Sequence, residues 1–327
     1  MEGYNIPEVG SKPAQNLARI GEEMQGSMFT GMMPAMVTPF DEREEVDLEA
    51  AEAVVERLIE AGVDGIIALG SNGEFSHLTG EERKRFAEEV AKIVAERVPL
   101  VIGVGASGTK ETVELARHAE RVGADGVIVV APYYWKVDEE ALFKHFAIVA
   151  ESVDIPALIY NFPMLTGIDL SPRLVARVAD KCPNVAGLKD TVAEYSHIVN
   201  VLREVKPVRP DFSVLAGFED HILPALLAGA DGAISGLSNV APELFVSLIR
   251  TADAGDLQKA AQLHRRVLSL LPLGEYSDPP IGAIKLAMKK LAVPISPTVR
   301  GPALPVPKEA HEKVEGVLHD VGLLPIR

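Results

Sequence analysis

A single cysteine, Cys182, is all that the 327-residue sequence holds, so no intramolecular disulfide can form, and its setting in "KCPN" lacks the spacing of a metal site. A reducing, cytoplasmic compartment fits that shortage. Long apolar runs are missing as well. None approaches the roughly 18 residues that a membrane helix requires, and the first 27 residues, "MEGYNIPEVGSKPAQNLARIGEEMQGS", carry no apolar core of a signal peptide. Basic residues are outnumbered, 32 Lys and Arg against 47 Asp and Glu, for a formal charge of -15. Without clustered Lys and Arg to displace counterions, neither a nucleic acid nor an anionic membrane surface is an expected partner. Any anionic ligand must be caught locally. The eight histidines show no H-x-H or H-E-x-x-H spacing, so no imidazole pair is preset for a metal and a metal-dependent aldolase is disfavoured.

What is present is an ordinary globular composition, 47% hydrophobic and 24% charged, in a chain long enough to bury a large core. From residue 31 onward, eight short apolar runs alternate with amphipathic helical stretches: "GMMPAMVTPF" (31 to 40), "VDGIIALG" (63 to 70), "PLVIGVG" (99 to 105), "DGVIVVAP" (125 to 132), "IPALIYNF" (155 to 162), "NVAGLKD" (184 to 190), "FSVLAG" (212 to 217) and "ADGAISG" (230 to 236). The runs are apolar throughout rather than alternating, as parallel strands covered on both faces require. Asp47, Thr79 and Ser171, the last followed by Pro172, stand where helix N-caps belong. In "EAGVDG", "RVGADG" and "LAGADG" a glycine ends a helix and an Asp-Gly pair opens the next strand. Eight such units predict an α/β fold, a closed (β/α)8 barrel, with a doubly wound open sheet as the alternative. The expected organisation is a polar tail over 1–27, the barrel over 28–255 and a helical extension over 256–327.

In such a barrel the chemistry gathers where the strands stop. Those positions are Thr38; Gly70, Ser71, Asn72 and Glu74 of "GSNGE"; Tyr133 and Tyr134; Tyr160; Lys189; Gly217, Glu219 and Asp220; and Ile234, Ser235 and Gly236. A lysine amine partly withdrawn from water is a nucleophile for carbonyls, and the imine it forms is an electron sink for making or breaking a carbon-carbon bond. Tyr160, one strand away, can shuttle the proton that such chemistry moves. The "GSNGE" turn offers backbone N–H groups and the side chains of Ser71 and Asn72 to a carboxylate. One further motif, "GVGASG" over 103–108, has the G-x-G-x-x-G form of a dinucleotide site. It lies in the third unit rather than the first, and the next strand ends in Pro132 and Tyr133 rather than in an acidic residue, so a nicotinamide oxidoreductase is disfavoured.

The set "GSNGE", "PYYWK", "YNFPMLTG" and "GLKD", in this order, resembles the dihydrodipicolinate synthase and N-acetylneuraminate lyase superfamily, over residues 28 to 325. The resemblance implies a Schiff base between Lys189 and a 2-keto acid, a proton shuttle at Tyr160, a keto-acid carboxylate at Ser71 and Asn72, and no cofactor beyond the covalent imine. It also implies a homotetramer of tight dimers, in which Tyr134 reaches the neighbour's site. Where a synthase of this family carries an arginine for the carboxylate of aspartate semialdehyde, this sequence has Leu165, which cannot make that bidentate contact. The stretches "LGSNGEFSHL", "YNFPMLTGIDL" and "AGFEDH" look most like the 2-keto-3-deoxygluconate type of aldolase, with Glu219 and Asp220 set to meet substrate hydroxyls. The resemblance thus implies a class I aldolase that cleaves a 2-keto-3-deoxy sugar acid to pyruvate and an aldehyde. The alternatives are a dehydratase of the same substrates, a 4-hydroxy-tetrahydrodipicolinate synthase, and a keto-acid binder without turnover.

Overall fold

Backbone hydrogen bonds join eight short strands into one parallel sheet in the order β1-β8-β7-β6-β5-β4-β3-β2. The computed structural model describes residues 26–325, so the expected tail lies outside the described residues except for Gly26 and Ser27. The strands are β1 (Gly31–Met32), β2 (Ile66–Ala68), β3 (Leu100–Gly103), β4 (Gly126–Val130), β5 (Ala157–Asn161), β6 (Val185–Asp190), β7 (Ser213–Ala216) and β8 (Gly232–Ala233). The first apolar run does not stay a strand to residue 40. Pro34 has no N–H to give to a ladder, and beyond it Met36 donates to the Ile67 carbonyl at 2.8 Å while Ile67 donates to the Pro34 carbonyl at 2.9 Å. Those two bonds close the sheet into a (β/α)8 barrel.

Helices follow each strand: α1 (Leu48–Glu60), α2 (Gly80–Val94), α3 (Thr109–Arg121), α4 (Glu139–Glu151), a single turn α5 (Pro163–Thr166), α6 (Pro172–Lys181), α7 (Ser196–Val205), α8 (Ile222–Leu227) and α9 (Pro242–Asp253). The caps fall on the residues that the sequence marks. Asp47 accepts from the Ala50 N–H, Ser171 from Leu174, and Thr79 forms a reciprocal capping box with Glu82. At the other ends Gly62, Gly123 and Gly229 adopt left-handed backbone, with φ of 79°, 87° and 104°. The aspartates after them fix the strands' register. Asp64, Asp125 and Asp231 each accept from a backbone N–H of the preceding strand, Met32, Leu100 and Val214, at 2.8, 2.8 and 2.7 Å.

Two apolar cores result. Met33, Ile67, Val101, Ile128, Leu158, Leu215 and Ile234 fill the barrel, closed below by Phe29, while a larger cluster packs the strands' outer faces against the helices. Burial of each such side chain contributes about 1.5–3 kcal/mol. The first two glycines of "GVGASG" serve this packing: a Cβ on Gly103 would overlap the Leu69 carbonyl, and one on Gly105 would lie 2.4 Å from the Val130 side chain. After the barrel come α10 (Leu257–Leu268), α11 (Ile281–Lys290) and α12 (Ala310–Asp320). Among the described residues no helix is long and apolar enough to cross a membrane.

Candidate active site

Lys189 and Tyr160 stand opposite one another on β6 and β5, and both are buried. Delivery of the lysine inward is a matter of parity, because alternate residues of a strand face opposite sides. Ala186 belongs to the cluster inside the barrel, whereas Val185 and Leu188 belong to the outer one. An unbroken alternation from Ala186 would turn Leu188 inward and Lys189 outward. Instead, Val185 pairs with Ala157 and Gly187 with Leu158, so β6 holds one residue more than β5 at this point. The bulge flips the alternation and re-aims Lys189 at the interior. Gly187 makes the bulge possible, since a Cβ there would lie 2.5 Å from the Ser213 carbonyl oxygen and 2.7 Å from the Leu158 side chain.

The amine of Lys189 lies 4.4 Å from the centre of the Tyr160 ring. The residue is 4% exposed, and its amine has no hydrogen-bond or ion-pair partner among the described residues. The other buried lysine, Lys285, differs in this respect. It is 0% exposed and bonds Glu74 at 2.6 Å. One amine is committed to a carboxylate and the other is not.

The Tyr160 hydroxyl reaches the Ser71 hydroxyl at 3.5 Å. Ser71 opens a tight 3-10 turn, Ser71–Gly73, which meets a second one, Phe75–His77, at Glu74 with φ of 52°. The N–H groups of Ser71 and Asn72 begin the turn and have no acceptor within it. Thr38 steadies the turn by donating to the Gly73 carbonyl at 2.7 Å. Asn72 packs on the loop after β8, so closely that a Cβ on Gly236 would lie 2.5 Å from its amide. Gly70 caps the turn in extended backbone.

Across the mouth, Ser235 donates to the Glu219 carboxylate at 2.6 Å and the Leu237 N–H to the same oxygen at 3.3 Å. From α10, His264 donates to the Glu219 carbonyl at 3.1 Å, and burial holds its imidazole below its ordinary value. Ile234 packs in the same interior cluster as Tyr160. Gly217 makes room for Thr191, whose buried hydroxyl has no partner among the described residues. The rings of Tyr160, Phe162 and Phe218 follow one another at 5.9 and 6.1 Å, forming an aromatic wall towards Glu219.

Other expected residues stand apart within this chain. Tyr134 is 86% exposed, with a left-handed φ of 82° and its ring edge-on to Trp135. Tyr133 packs on Phe75, and burial raises its phenol. Leu165, on α5, is 62% exposed. Asp220 is exposed beside His221, at 3.9 Å.

The structure adds a network that the sequence did not single out. Asp190, next to Lys189, accepts from His197 Nδ1 at 2.9 Å and from Asn161 at 3.3 Å, while His197 Nε2 meets the Leu170 carbonyl at 3.0 Å. With a carboxylate on one ring nitrogen and a carbonyl on the other, both must donate, which requires imidazolium. Burial works against that charge, but the bond to Asp190 and the charges of Asp190 and Asp169 outweigh it and hold His197 above its ordinary value. The network ties the ends of β5 and β6 together beside Lys189 and Tyr160. Its only trace in the sequence is position, since Asn161 and Asp190 each follow a residue of the pair.

Comparison with known proteins supplies independent findings. Residues 28–321 match the model of the dihydrodipicolinate synthetase family. YagE of Escherichia coli K12, provisionally named a 2-dehydro-3-deoxy-D-gluconate aldolase, is 41% identical over 299 residues, 91% of this chain and 99% of that one. YjhH of the same organism, provisionally named a 2-dehydro-3-deoxy-D-pentonate aldolase, is also 41% identical, over 91% of this chain and 99% of its own. The 4-hydroxy-tetrahydrodipicolinate synthase of Thermotoga neapolitana is 35% identical over 91% of this chain and 100% of its own. The crystal structure of YagE in complex with pyruvate superposes with a TM-score of 0.90, covering 91% of this chain and 100% of that one.

Proposed function

Because the chain belongs to the dihydrodipicolinate synthetase family, we propose that it is a class I, pyruvate-dependent aldolase that reversibly cleaves a 2-keto-3-deoxy sugar acid to pyruvate and an aldehyde. The observation that carries this reading is the pairing of an uncommitted, buried lysine with a tyrosine: Lys189 lies 4.4 Å from the Tyr160 ring, and the Tyr160 hydroxyl lies 3.5 Å from that of Ser71. In the proposed reaction the Lys189 amine adds to the C2 carbonyl, and loss of water leaves an iminium. Tyr160 takes the proton of the C4 hydroxyl as the C3–C4 bond breaks, and the electron pair of that bond flows into the iminium to give the enamine of pyruvate. Release of the aldehyde is followed by protonation at C3 and hydrolysis, which returns the amine. The turn at Ser71 and Asn72 holds the carboxylate throughout. In a tetramer, Tyr134 of a neighbouring copy would complete the proton path, which accounts for an aromatic side chain left standing in solvent.

Substrate choice is read from the residue that stands at position 165. Leu165 offers no charge to a second carboxylate, which disfavours aspartate semialdehyde, and the identities of 41% to the two provisionally named sugar-acid aldolases against 35% to the synthase support the same choice. The test is product analysis after incubation with 2-keto-3-deoxy hexonates and pentonates. Pyruvate and an aldehyde in equal amounts are expected. Conversion without pyruvate would replace this reading with the dehydratase, and turnover of aspartate semialdehyde alone would replace it with the synthase.

A further inference from the structure

Glu74 ends the "GSNGE" loop, and its side chain is buried rather than offered to the barrel mouth. Two groups of the C-terminal extension hold it there. Lys285 Nζ, on α11, lies 2.6 Å from one carboxylate oxygen and donates also to the Thr298 carbonyl at 2.9 Å, while the Arg300 N–H reaches the other oxygen at 3.0 Å. The ring of Phe40 meets both cations, 4.3 Å from the Lys285 amine and 4.6 Å from the Arg300 guanidinium. His77 Nδ1 stands 3.7 Å from the carboxylate, and the Arg300 guanidinium bonds Glu82 at 2.6 Å. Burial pushes the Lys285 ammonium down to about 8, and the charge of Glu74 opposes that shift.

Stability alone is a poor account of such a pair, because the cost of desolvating two charges commonly cancels their attraction and an apolar pair of similar volume does as well. Geometry is a better account. Glu74 is the joint between two 3-10 turns, and its left-handed backbone is one that a residue with a side chain adopts at a cost. An anchored carboxylate holds that joint. Asn72 and Ser71 lie two and three residues upstream, and the Ser71 hydroxyl meets Tyr160. We infer that Lys285 is a positioning residue which, through Glu74, fixes the Ser71–Asn72 turn for the carboxylate of the keto acid. The inference rests on the aldolase reading proposed above.

The test is borohydride trapping of pyruvate across a concentration series, read as intact mass, with the full chain as wild type, as Lys285→Met and as the double variant Glu74→Gln/Lys285→Met. Trapping of the wild type, one adduct per chain, checks the aldolase reading by itself, and its absence would overturn that reading whatever the variants do. With wild-type trapping in place, Lys285→Met should need at least tenfold more pyruvate for half-maximal adduct, with unchanged stoichiometry at saturation. The double variant buries no net charge at this point. It should melt close to the wild type yet keep the tenfold weaker half-saturation, a split that a purely structural pair would not produce. Half-saturation within twofold of the wild type in the double variant would overturn the inference. Failure of the double variant to fold would overturn it too, since the pair would then be a requirement of the fold.

Discussion

Removing one oxygen from Tyr160 should separate binding from the proposed chemistry. The phenol ring packs with the interior cluster, and its hydroxyl makes a single long bond, 3.5 Å, to Ser71. Tyr160→Phe should therefore fold normally, losing on the order of 1 kcal/mol or less from that bond. Proton transfer loses its carrier, so kcat should fall by about 10²–10⁴, with imine formation slow but still detectable. Wild-type kcat in this variant would remove Tyr160 from the proton path. Lys189 and Tyr160 were legible because each ends a recognisable apolar run. Lys285 was not, because nothing in "IGAIKLAMKK" distinguishes a lysine that anchors a loop from one that faces water, and its partner is 211 residues away. His197 was hidden for a different reason: its partner Asp190 lies near in sequence, but only the turn of α7 against β6 brings the two side chains together.

At the scale of the element, the bulge in β6 is what the proposed chemistry depends on. Eight apolar runs announce eight strands, yet a run that is apolar on both faces carries no parity signal, so the sequence does not tell which face Lys189 occupies. The one clue is Gly187 inside the run, a residue that costs a strand stability and often marks a bulge or a close approach. Both apply here. Gly187→Ala places a methyl group against the Ser213 carbonyl and the Leu158 side chain. A loss of about 1–3 kcal/mol of stability is expected from overpacking. Because Lys189 is two residues on, kcat should fall by more than tenfold in the fraction that remains folded. Full activity at normal stability would contradict the bulge as the device that aims the lysine. The helix caps, by contrast, were readable in advance, because a cap is decided within four residues: Thr79 with Glu82, and Ser171 with Pro172, needed no knowledge of the barrel.

For the molecule as a whole, acid is the condition that should loosen the fold. His145 on α4 is buried against Phe146, its Nδ1 bonds the Thr109 hydroxyl at 2.9 Å, and its Nε2 has no partner among the described residues. Burial depresses its value from 6.5 to about 4. Between these values the unfolded chain binds a proton that the native chain refuses, so the stability this histidine contributes is complete above 6.5 and is lost as pH falls towards 4. From pH 7 to pH 5 the loss amounts to about 2 kcal/mol. Urea unfolding at the two pH values should show that loss in the wild type and about 2 kcal/mol less of it in His145→Gln; equal losses would assign the acid sensitivity to other groups. The barrel itself was visible in the alternation of runs and helices, and its closure at Pro34 and Ile67 follows from tertiary hydrogen bonds that no local pattern records.

The central claim is that Lys189, and not Lys285, is the amine that meets the keto acid. The most direct measurement is peptide mapping by mass spectrometry after incubation of the folded protein with pyruvate and borohydride. A single reduced-pyruvate adduct on the peptide that carries Lys189 is the predicted result. No adduct on the folded protein, or an adduct confined to Lys285, would contradict it.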